Sequence, residues 1–168
     1  MNVGNPDRFA IEAEIEERVG EWVLGHFRFW ICGHAVGDWD DSADLLGCLR
    51  WLKEFSEQPR DRYEPRLCAL PPKEVFRRVF DPVMSSTQSD TAPLVEDAYA
   101  RFHISYLGMS SFERFDLLLL TDEHGAQRCL WRESKSDDMH ECFLWRMEME
   151  RIAGEFCKRF EQVLTSHA

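Results

Sequence analysis

From Phe9 to Glu16 the chain alternates strictly, with Phe9, Ile11, Ala13 and Ile15 on one side and Glu12, Glu14 and Glu16 on the other. Period two marks a β-strand with one wet face. Gly20 supplies a turn, and Glu21 to Cys32 returns with Phe27, Phe29 and Ile31 inward, which predicts an antiparallel hairpin. Parallel pairing of the first strand with a distant one stays open. A glycine-bracketed turn, Gly33 to Gly37, and an acidic loop, Asp38 to Asp41, follow. The period then lengthens. Leu45, Cys48, Leu49, Leu52 and Phe55 recur at helical spacing, so a helix is predicted from Ser42 to about Phe55, its first amides capped by Asp41 or Ser42.

Arg60 to Pro72, with Pro65, Pro71 and Pro72, reads as a connecting loop, and Lys73 to Phe80 as a short helix ending before Pro82. Met84 to Pro93 has almost nothing to bury and reads as a mobile loop. Four strand-like segments come next: Arg101 to Leu107, Phe112 to Leu120, Ala126 to Arg132 and Met139 to Trp145. Leu117 to Leu120 is apolar on both faces, the mark of a central covered strand. A last helix is predicted from Arg146 to Leu164, where Gly154 suggests close packing. The sum is an α+β fold: one domain over residues 1–168, with a largely antiparallel sheet of five to six strands and two to three helices packed on it.

Composition narrows the function. At 168 residues with twelve Phe and six Trp, the chain can bury a core without staples. The net charge of -11 disfavours nucleic acid and anionic membranes as partners and favours a basic one. The acidity is regional: residues 1–60 carry 12 acidic and 6 basic groups, and residues 85–145 carry 11 and 5. The N-terminus lacks a basic segment followed by an apolar one, so export is not expected. The six cysteines sit singly in apolar segments and read as reduced, buried thiols of a cytoplasmic protein.

The acidic loop is the centre of the candidate chemistry. Asp38, Asp40, Asp41 and Asp44 admit a divalent metal site, although the spacing is not that of an EF-hand. They equally suit a contact surface in which Trp39 is an aromatic anchor within a negative rim, or simple helix capping and solvation. Cys32 and His34, with His26 or His103, form a weak zinc candidate. Glu12, Glu14, Glu16 and Glu17 read either as a strip for a basic partner or as charges that keep an edge strand from aggregating. No nucleophile elbow or phosphate-binding glycine loop is present, so no enzyme is expected.

Gly4 to Ile15, Phe27 to Ser42, and the late pair RCLWRES (Arg128 to Ser134) and DDMHECFLW (Asp137 to Trp145) together resemble the bacterial immunity protein 42 family. Cys32 stands where that family commonly has Asn. The resemblance implies an antidote that binds a cognate toxin tightly, often over its active site, with no cofactor and no catalytic residues. Joined to the acidity, it points to a cytosol-acting nuclease toxin with a basic cleft, gripped through Asp38, Trp39, Asp40, Asp41 and Asp44. The competing function is a small metal-dependent hydrolase built on Asp38, Asp40 and Asp41. Neither the toxin nor the oligomeric state can be read from the residues.

Overall fold

The structure, a computed structural model, describes residues 1–80, 101–104, 110–134 and 136–166. Two compact units emerge, one comprising Met1–Pro59, Ser105–Phe115 and Met147–Ala168, the other Arg60–Ile104 and Asp116–Arg146. The fold is α+β.

The first unit is built on a five-stranded antiparallel sheet: β1 (Asn2–Asn5), β2 (Phe9–Val19), β3 (Trp22–Ile31), β4 (His34–Val36) and β5 (Ala43–Asp44). The order is β1-β2-β3-β4, with β5 also on β3. The expected hairpin of β2 and β3 is present, and its antiparallel register removes the parallel alternative. Its two-residue connection has positive φ at Gly20 (+61°) but not at Glu21, the pattern of a type II′ turn. The next turn, between Ile31 and His34, has positive φ at both Cys32 (+48°) and Gly33 (+80°), a type I′ pattern. Asn tolerates the first of these positions better than Cys does, and a non-glycine residue held there costs about 1 kcal/mol or more.

The register of β2 on β3 slips between Ile15 and Glu17, leaving Glu16 as the extra residue of a bulge. Gly25 lies opposite it. A β-carbon on Gly25 would sit 2.0 Å from the Glu14 carbonyl oxygen, so only glycine fits.

Inward side chains of the sheet are Phe9, Ile11, Ala13, Phe27, Phe29 and Ile31, all buried. Phe27 is the hub, with ring centroids 5.5 Å from Phe29, 6.0 Å from Phe112 and 5.9 Å from Phe156. Two helices complete this unit. Helix α1 (Leu45–Glu57) buries the five predicted apolar positions, Leu45, Cys48, Leu49, Leu52 and Phe55. It starts later than expected because Ala43 and Asp44 first pair with β3. Asp44, not Asp41 or Ser42, is therefore the cap. The last helix, Glu148–Ser166, packs on α1, β1 and β2. A β-carbon at its Gly154 would meet Ser56 at an ordinary 3.7 Å, so close packing is not what keeps glycine there.

The second unit holds α2 (Pro65–Cys68), a one-turn helix inside the segment expected to be a loop. Glu64 caps it and Pro65 suits its first position. Then come α3 (Pro72–Val79) and a three-stranded sheet in the order β6 (Phe115–Thr121), β7 (Gln127–Glu133) and β8 (Met139–Leu144). With those labels the last helix is α4. Val75, Phe76 and Val79 of α3 pack with Leu118, Leu120 and Leu130. Leu117 to Leu120 are buried on both faces, as their sequence implies, but the central strand is β7. The free edge of β6 is covered instead by a bridge from Leu118 to His103 and by the Ile104 amide, which donates to the Leu117 carbonyl at 3.0 Å. Within the expected strand Arg101 to Leu107, Arg101 and Phe102 are helical and His103 makes that bridge, while residues 105–107 lie outside the described residues. Phe112 belongs to a 3-10 turn, Ser110–Phe112, ahead of β6. The loop expected at Met84 to Pro93 lies outside the described residues.

Two of the six cysteines, Cys32 and Cys142, are disulfide-bonded, which corrects the expectation that all are reduced thiols. Cys48, Cys68, Cys129 and Cys157 are not disulfide-bonded. Burial pushes the thiol of Cys157 up to about 11 and that of Cys48 higher still, which leaves both unreactive.

Candidate functional site

Register places the outward side chains of β2 and β3 in facing pairs: Ala10 with Trp30, Glu12 with Arg28, Glu14 with His26, Glu17 with Leu24, and Val19 with Trp22. An acidic column thus runs beside an aromatic and basic one. Glu12 is fully engaged, accepting from Arg28 Nε at 2.8 Å and from Trp30 Nε1 at 2.7 Å. Partial burial works to raise its pKa, but those two hydrogen bonds and the Arg28 charge outweigh burial and hold the carboxyl below the usual range.

The acidic loop is pinned across this face by its tryptophan. The Arg28 guanidinium lies 4.6 Å from the Trp30 ring centroid and 4.4 Å from that of Trp39, in cation–π range of both. Trp39 also stacks on His26 with centroids 5.3 Å apart. Asp38 secures the loop from below. Its amide donates to the Ser111 carbonyl at 2.9 Å, and its carboxylate accepts from the Asp40 amide at 3.1 Å and pairs with Arg114 at 3.2 Å. Asp44 accepts from the Leu46 amide at 3.1 Å, closing the first turn of α1.

The five residues singled out in the sequence therefore divide. Asp38 and Asp44 spend their carboxylates on loop and helix geometry. Trp39 is half-buried on the hairpin face, Asp41 is half-buried within the turn, and Asp40 is exposed. The sequence reading did not find the partners that hold Trp39, namely Arg28, Trp30 and His26, nor the exposed pair Val19 and Trp22 at the hairpin tip. Alternation carried the first of these; the bulge at Glu16 hid the second.

The metal readings gain nothing from the geometry. Among the described residues no group of three or more His, Cys, Asp or Glu side chains is placed to hold a metal ion. Cys32 is committed to a disulfide, and His26 is stacked beneath Trp39. A groove of about 750 Å³ lies along α1 and α4, lined by Lys53, Glu57, Glu155, Lys158 and Glu161 among others. Lys53 pairs with Glu161 and Arg159 with Glu155 across and along it, which makes it a solvated helix seam. No helix among the described residues is long and apolar enough to cross a membrane.

The family model of immunity protein 42 matches residues 1–159. The chain belongs to the immunity protein 42 family. Membership in an immunity family fits a surface made of paired aromatic and charged side chains, and it places the chain's role in immunity to a toxin. No curated protein matches this family member. Among solved structures it is similar to the crystal structure of CdiI from Burkholderia dolosa AUO158, with a TM-score of 0.73 and 18% identity. The match spans 95% of this chain and 99% of that one. At that identity the likeness concerns the fold.

Proposed function

We propose that this chain neutralises one cognate toxin by binding it as a stoichiometric inhibitor, and that the toxin is a nuclease acting in the cytosol whose basic active-site cleft the chain occludes. Membership in the immunity protein 42 family carries the reading. The acidic column of β2, with Trp39 and Asp40 beside it, supports a basic partner, because opposite potentials speed encounter and like-charged nucleic acid would be displaced from the same cleft. In this reading Trp39, Asp40 and Asp41 touch the toxin, while Asp38 and Asp44 hold the loop and helix that present them. No cofactor takes part.

The test is co-expression with the gene immediately upstream in a sensitive host. Toxicity that this chain alone relieves, with a complex that co-purifies, is the expected result; a harmless neighbour with no complex sinks the proposal. Residence in the cytoplasm is part of the proposal and has its own requirement. Disulfides are rarely kept in that compartment, so protection must persist in the Cys32→Ser variant.

A further inference from the structure

We infer that the tip of the β2–β3 hairpin is the knob by which this chain grips its partner, with Trp22 and Val19 entering an apolar socket on a basic protein surface whose charges meet Glu14, Glu16, Glu17 and Glu21. The inference deepens the antidote reading and rests on it. It names a surface outside the acidic loop and the kind of surface that fits it.

Three observations carry it. Trp22 is 58% exposed and Val19 49%, and the two are direct cross-strand partners, so they form one apolar patch at the end of the hairpin. The patch exists because of the bulge. With strict alternation Val19 would share the inward side of Phe9, Ile11 and Ala13, but the extra residue Glu16 shifts the parity and brings Val19 beside Trp22 on the outer face. The type II′ turn then holds both side chains on a short, rigid loop, which lowers the ordering cost on binding.

Charge selects the occupant. Between Glu14 and Trp22 there are four acidic groups and one basic one, Arg18. Among the described residues Glu14, Glu17 and Glu21 have no ion-pair partner, and Glu16 has only His26 at 3.9 Å. An apolar centre ringed by unmatched carboxylates fits a basic protein and repels both an anionic lipid surface and nucleic acid. An exposed aromatic pair elsewhere, Phe143 (67%) and Trp145 (70%), lacks this signature because Glu141 beside it is already neutralised by Arg128.

The test uses the full chain and the toxin purified from the co-expressed complex, with binding measured at low and high salt. Trp22→Ala is expected to weaken the complex about 30-fold or more, as for a central aromatic anchor. The double substitution Glu14→Lys with Glu17→Lys is expected to slow association about tenfold and to remove most of its salt dependence. Circular dichroism and the unfolding midpoint should stay unchanged in both, since neither site packs inward. Wild-type binding that both variants leave within about twofold overturns the hairpin inference and leaves the antidote reading standing. A wild-type chain that does not bind overturns both.

Discussion

The acidic loop and the hairpin tip look alike in composition and differ in employment. Asp38 bonds an amide and Arg114, and Asp44 caps α1; Glu14, Glu17 and Glu21 have no such ties among the described residues. Trp39 lies against Arg28 and His26, whereas Trp22 stands in solvent. A density of negative charge in the sequence thus says little about how much of it a partner can use. What counts is whether each carboxylate already has a donor. The loop is mostly scaffold with Asp40 at its surface, and the tip is mostly surface.

The strongest way to break this contrast is to remove the ribbon under both regions. Gly25→Ala drives a β-carbon into the Glu14 carbonyl at the bulge, and a clash with backbone cannot be relieved by a rotamer change. A loss of more than about 2 kcal/mol is expected in denaturant unfolding, in the range of backbone-strain variants. The next effect belongs to the scaffold alone. Asp44→Ala should cost about 1 kcal/mol through the lost cap, with unchanged toxin association once the folded fraction is corrected for.

Glu12 sharpens the comparison through pH. Its folded pKa is depressed, so the stability it contributes is present above its ordinary value of 4.5 and is lost as pH falls through the lower folded value. The unfolding free energy of Glu12→Gln should therefore fall less steeply than that of the wild type as pH drops below that ordinary value. Equal slopes would mean that the bonds from Arg28 and Trp30 do not persist in solution. The smallest effect belongs to the tip. Trp22→Ala and Glu17→Lys should change stability by no more than about 0.5 kcal/mol, the usual range for surface positions, and a larger loss would show that the tip is scaffold too.

Much of this architecture was legible in the sequence where periodicity was clean. Phe9 to Glu16 and Leu45 to Phe55 announce a strand and a helix because each has one buried side, and the three strands of the second unit start at Phe115, Gln127 and Met139 where Phe112, Ala126 and Met139 were expected. The misses come from contact with distant parts of the chain, with one local exception. Ala43 and Asp44 join a sheet because β3 lies beside them, which delays α1 and moves its cap. Pro65 to Cys68 turn into a helix through a local cap that the surrounding prolines obscured. At the candidate site, the sequence picked out Trp39 as an anchor but could not show that Arg28 and His26 already hold it. The parity change at Glu16 is a single-residue event, and no alternation pattern reveals it without the partner strand.

The division of the first unit among three stretches of chain has a consequence for synthesis. Its sheet and α1 leave the ribosome early, yet α4, which packs on α1, β1 and β2, is made only after the second unit's segments. Domains tend to fold as units during translation, so the second unit can close while the first still waits for its final helix. A nascent chain stalled before Glu148 would carry a sheet whose phenylalanine face lacks Phe156 and Phe160, a sticky and protease-sensitive species.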